Sequence, residues 1–238
     1  MYTSGNFLLQ PGSFSRTYSH SIGLLCIVLL TNLALLPAAF GAVVYINELH
    51  YDNVGSDTGE GIEVAGTAGF DLHDWQLLFY NGNDGSIYKS LTLSGVIDDE
   101  AGGFGALGFS TSGIQNGPAD GIALLSNLGN VLEFISYEGS LTATEGTALG
   151  MTSIDIGISQ GASTTAGFSL QRTGTGFSSE DFSWTTGPSN FGTLNSGQTI
   201  IATPVPLPGG LLLLSSSLLG FWGALFGARP RSNTLPAC

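Results

Sequence analysis

The chain has 238 residues, with five Lys or Arg against eighteen Asp or Glu, for a net charge of −13 at neutral pH. All eighteen acids lie between Glu48 and Asp181, a balance that repels phosphate backbones and anionic lipid heads and so excludes direct binding of nucleic acid. Gly and Pro together stay below the share typical of disordered chains, and both cysteines, Cys26 and Cys238, sit in the end segments. The middle therefore folds without disulfides, thiolate metal sites or a thiol nucleophile.

At the N-terminus, Arg16 and His20 precede an apolar run from Ile22 to Pro37 and the small residues Ala38, Ala39 and Gly41. This order predicts a secretory signal peptide over residues 1–41, cleaved after Gly41 with Ala39 at position −3. A retained membrane span is the alternative. Leu25 stands where a lipoprotein signal needs a small residue, so Cys26 is not a lipid attachment point.

Residues 42–199 read as one all-β domain. Strands are predicted at Val43–Leu49, Ile62–Ala65, Trp75–Tyr80, Ile87–Leu93, Phe104–Phe109, Gly121–Leu125, Val131–Tyr137 and Phe168–Arg172. Short apolar runs punctuated by Gly, Asn, Asp and Ser suggest an antiparallel sandwich or barrel. Two hairpin turns are plain, Asn81–Gly85 and Ser126–Asn130, both rich in residues that tolerate positive φ. Trp75, Leu77 and Phe79 alternate with Leu78 and Tyr80, so that strand is expected to be covered on both faces. Gly139–Ala166, poor in aromatics, is expected as a long surface loop, with Met151–Ile158 lying across the sandwich.

The loop after the first strand holds the strongest candidate for bound-ion chemistry. Asp52, Asn53, Asp57 and Glu60 fall within nine residues, with Gly55 and Gly59 between them. Oxygen donors and tight turns suit calcium, although the spacing is not that of an EF-hand. A solvated acidic turn is the competing reading. Asp98-Asp99-Glu100 forms a second acidic cluster. His50 and His73 are single and lack zinc-ligand spacing, and no Gly-x-Ser-x-Gly elbow is present. Gly102-Gly103-Phe104-Gly105 lacks the Lys and helix of a phosphate loop and reads as a turn. Tyr51, Phe70, Tyr88 and Tyr137 are the aromatics that could stack on sugars, or else belong to the rim and core.

Residues 200–208 form a Pro-rich linker containing Val205-Pro206-Leu207-Pro208. Gly209–Ala228 then runs 20 residues without a charge. As a helix it would reach about 30 Å, the thickness of a bilayer core. Arg229 and Arg231 open a basic tail, residues 229–238, and place it in the cytoplasm by the positive-inside tendency.

This tail resembles the PEP-CTERM sorting signal of Gram-negative bacteria, with Leu207 where that pattern usually has Glu and seven residues beyond Arg231. The resemblance implies an exosortase-type processing enzyme as partner and a home at the cell surface or in the extracellular matrix. A plain membrane tail anchor is the alternative.

The middle resembles the lamin-tail domain. Val44–Glu48 looks like its opening strand, Glu60–Val64 its second element and Asp71–Leu77 its third, with a buried Trp. Asp120–Leu124, Gly129–Val131, Ser169–Arg172 and the closing Trp184, Pro188 and Gly192–Asn195 follow in order over about 150 residues. The resemblance implies an immunoglobulin-like antiparallel β-sandwich without a catalytic set of its own. It points to a non-catalytic binding or structural module whose partner is an extracellular polysaccharide or an envelope protein. An accessory subunit of a secreted nuclease or phosphatase, or a cryptic hydrolase, is the alternative.

Overall fold

The alternation read along the middle of the chain folds into strands wherever one apolar face finds cover. A computed structural model describes residues 42–201. The expected signal peptide, the Val205–Pro208 motif, the apolar run 209–228 and Arg229 and Arg231 lie outside the described residues. Among those residues, no helix is long and apolar enough to cross a membrane.

The strands are β1 (Val44–His50), β2 (Gly61–Thr67), β3 (Gln76–Tyr80), β4 (Ile87–Thr92), β5 (Phe104–Ser110), β6 (Gly121–Leu125) and β7 (Val131–Ser136). They continue with β8 (Ile154–Asp155), β9 (Phe168–Gly176), β10 (Ser183–Pro188) and β11 (Gln198–Ile200). A 3-10 turn at Ser179–Asp181 precedes β10. All eight expected strands form. The three that were not expected are short or, in β10, carry Ser-Trp-Thr-Thr-Gly-Pro without an apolar stripe. β11 takes in Ile200, the first residue of the expected linker.

One sheet runs β10-β9-β1-β2-β5, with β11 joined to β9, and the other runs β4-β3-β6-β7-β8. Pairing is antiparallel except for β11 on β9 and β8 on β7. The sheets stack as a β-sandwich. Ile46, Leu49, Ile62, Val64 and Leu170 of the first sheet share a core with Leu77, Phe79, Ile122, Leu124 and Ile135 of the second. Each such side chain contributes roughly 1.5–3 kcal/mol by leaving water. Trp75 closes one end of this core against Phe70, ring edge to ring face at 5.3 Å.

Both sheets are also covered on their outer faces. Leu78 and Tyr80 of β3 turn away from the main core, as their alternation predicts, and meet Phe134, Leu141, Ala143 and Ala148. The segment after β7 is therefore pinned to the sheet at a few buried side chains, with most of its residues exposed. The expected surface course holds for most of the segment, and Ile156 and Ile158 cross onto the main core, but Leu141, Ala143 and Ala148 anchor it in the hollow beside Tyr80, while Ser153 bonds Ser136 at 2.7 Å. Gly85, in the β3–β4 turn, has φ +71°, and a Cβ there would stand 2.2 Å from the Thr142 carbonyl oxygen. On the first sheet, residues 189–197 lie over β2 and β5. A side chain at Gly108 would strike Phe191 and Gly192, so the strand approaches this cover only as glycine.

Candidate functional site

The first-loop residues singled out for calcium are used in several directions. Asn53 is buried and holds the turn together: its Oδ1 accepts the Thr58 N–H at 3.0 Å, and its Nδ2 donates to the carbonyls of Val54 and Ser56. Asp57 accepts the Asn53 N–H at 3.2 Å and the Asn116 amide at 3.3 Å. Asp52 lies beside it. Burial, then the nearby Asp57 charge, pushes the Asp52 carboxyl above its ordinary range. Glu60 turns elsewhere, its two oxygens accepting the N–H groups of Gly113 and Ile114 at 2.7 and 2.8 Å.

The loop thus brings Asp52 and Asp57 together and commits Asn53 and Glu60 to backbone. A hard cation asks for six to eight oxygens. Among the described residues, no group of three or more His, Cys, Asp or Glu side chains is placed to hold a metal ion. The second acidic cluster is likewise spent on chain turns. Asp99 accepts from Gly103, and Glu100 accepts from Ala106 and Leu194.

His50 is buried, with Nδ1 at 3.0 Å from Gln160 Oε1 and Nε2 at 3.0 Å from the Thr58 carbonyl. Gln160 also accepts the Tyr51 N–H and donates to the Phe168 carbonyl, linking β1, the start of β9 and the covering segment. Its position in a Ser- and Gly-rich stretch gave no sign of this. His73 is exposed, 3.4 Å from Asp74. Tyr51 and Tyr137 are fully buried and stacked with centroids 3.9 Å apart, and Tyr88 and Phe70 pack against the core. None of these four is a free sugar platform.

A buried polar seam crosses the sandwich where β1 and β9 part. Their pairing covers Glu48–Gln171 and Leu49–Leu170, and beyond it side chains replace the ladder. Arg172 Nε donates to the Ile46 carbonyl at 2.8 Å, and Glu133 Oε2 accepts the Ile46 N–H at 2.8 Å. Arg172 and Glu133 pair with each other, although they stand on different sheets. Asn195 adds donations to the carbonyls of Asn47 and Arg172. Burial pushes the Glu133 carboxyl up, and the Arg172 charge pulls it back.

Above this seam opens a cleft of about 600 Å³, walled by β7 and β8 on one side and by the 3-10 turn and the start of β10 on the other. Its floor is the Arg172–Glu133 pair, with the guanidinium 4.7 Å from the centre of the Trp184 ring. Leu132, Met151 and Ile154 line it and are 50%, 41% and 73% exposed. Both bordering strands, β8 and β10, are the ends of their sheets. Glu180 and Asp155 stand exposed within this lining.

No family model, curated protein or solved structure matches the chain.

Proposed function

We propose that the chain is an exported surface or extracellular-matrix protein whose β-sandwich is a non-catalytic binding or structural module. The observation that carries this reading is the division of labour among its polar side chains. His50, Glu60, Glu63, Arg172 and Glu133 each hold backbone or sheet in place, while the open cleft at two free strand edges sets the apolar Leu132, Met151 and Ile154 beside the exposed Asp155 and Glu180. Such a site is suited to binding and offers no nucleophile paired with a base.

The immunoglobulin-like, lamin-tail reading belongs to the same proposal. Its support is the adjacency of the two opening motifs on β1 and β2, the burial of Trp75, and the packing of the closing Gly192 against Glu63. Export through residues 1–41, sorting by an exosortase-type enzyme at Val205–Pro208 and a membrane stop at Arg229 and Arg231 complete it, resting on the sequence pattern. An accessory role beside a secreted hydrolase would use the same module.

The test is intact mass with cell fractionation, after expression in a Gram-negative host that has an exosortase. Loss of residues 1–41 and of the segment after Pro208, with the protein at the surface or released, supports the proposal. A full-length cytoplasmic chain overturns it. A chain retained in the inner membrane with its C-terminus intact leaves export standing and replaces sorting by a tail anchor.

A further inference from the structure

Three of the large apolar side chains left exposed among the described residues, Leu132, Met151 and Ile154, converge on one cleft. The cleft runs along β8, which is hydrogen-bonded to β7 on one side and ends its sheet on the other. A free strand edge beside an apolar furrow is the setting in which an extended segment adds as a further strand: main-chain hydrogen bonds supply affinity, and alternate side chains enter the furrow.

Charge selects the occupant. Glu180 and Asp155 stand exposed at the cleft, and the one cation there, Arg172, is already paired with Glu133 and stacked on Trp184. The surrounding domain carries eighteen acids against Lys89 and Arg172, so a second copy of the chain would meet like charge. One face of Trp184 is taken by the guanidinium, which weakens it as a sugar platform.

We propose that the cleft between β8 and β10 receives an extended, basic segment of another envelope protein, which pairs with the edge of β8 and sets alternate apolar side chains against Met151, Ile154 and Trp184. The assignment rests on the binding-module reading and names its partner class. Basic side chains of the incoming strand lie toward Asp155 and Glu180.

The experiment is fluorescence anisotropy on the full-length chain in non-ionic detergent, with a labelled ten-residue peptide of alternating Lys and Val. The comparison peptides alternate Glu and Val, or carry N-methyl groups on every second residue of the Lys–Val sequence. Micromolar binding of the Lys–Val peptide, at least ten-fold weaker for both comparison peptides, is expected. Ile154→Lys should weaken it at least ten-fold without changing the melting temperature, since that side chain is exposed, and Asp155→Lys should weaken it at least ten-fold while losing only a turn bond from the Gly157 N–H. Asp98→Lys, close to β5 at the opposite end of the sheet from β10, should leave it unchanged.

Equal binding of all three peptides, absence of binding, or indifference to Ile154→Lys would overturn the proposal. So would dextran protecting residues 151–156 from hydrogen exchange while the peptide protects nothing, although the module reading would survive. A cytoplasmic, unprocessed chain that still binds the Lys–Val peptide would overturn the export reading and the envelope source of the partner, and leave strand addition at β8 standing.

Discussion

Glu133 of β7 and Arg172 of β9 form an ion pair across the two sheets, and together they satisfy both the N–H and the carbonyl of Ile46. The pair sits where β1 loses its ladder partner, so it replaces two main-chain bonds as well as joining the layers. Their side chains are 12% and 7% exposed, which places both charges largely out of water.

Removing one partner therefore strands a buried charge and frees the Ile46 backbone. Arg172→Met should destabilise the domain by about 3–5 kcal/mol. The double variant Arg172→Met/Glu133→Leu should recover part of that loss, because no lone charge remains. Urea denaturation of the parent chain and the two variants checks the order.

Glu48 and Glu63 stand opposite each other on β1 and β2, both fully buried under residues 189–194. Burial pushes Glu63 up to about 8, and the Glu48 charge adds to the shift. Folded Glu63 thus keeps its proton where the unfolded chain has released it. The resulting stability is full below the ordinary Glu range near 4.5 and is lost as pH rises through about 8. Asp52, Asp120 and Glu133 are shifted the same way. The melting temperature should fall between pH 5 and about 8.5, a loss on the order of a few kcal/mol, and Glu63→Gln should flatten the profile. A melting temperature that rises over that interval would contradict this assignment.

The first loop gives a separate test. Asn53→Ala removes the side chain that closes the turn and should cost about 1–3 kcal/mol, read by thermal or urea unfolding. With Glu60 and Asn53 committed to backbone, EDTA should leave the melting temperature unchanged, and calcium uptake in calorimetry should be no tighter than millimolar. Submillimolar uptake that disappears in Asp57→Asn would instead make the loop a calcium site.

Gly85→Ala should destabilise by about 2–3 kcal/mol, through positive φ and through the approach of the Thr142 carbonyl. Gly129, with φ +75° and open space around it, should cost less on the same substitution. Comparing the two separates strain in the turn from contact with the covering segment.

The eight main strands, both hairpins and the two-faced character of β3 were legible in the sequence, because side-chain alternation and turn chemistry are local properties. The acidic first loop was legible as composition, but its division of labour was not. Glu60 bonds residues 113 and 114, more than fifty positions along the chain, and no spacing rule within the loop carries that information. β8, β10 and β11 were missed because short edge strands need no apolar stripe.

By itself, the sequence determined an acidic, cysteine-free, all-β middle whose apolar residues alternate into a core. Only the tertiary structure decided which outward-facing side chains lie under cover. Glu63 sits between Ile62 and Val64 in a run that reads as half exposed, yet Gly192, 129 residues later, closes over it. Gln160 and the segment 139–166 became structural for the same reason. Burial of a polar group depends on which distant part of the chain arrives above it, and that is fixed by packing between sheets and segments far apart in sequence.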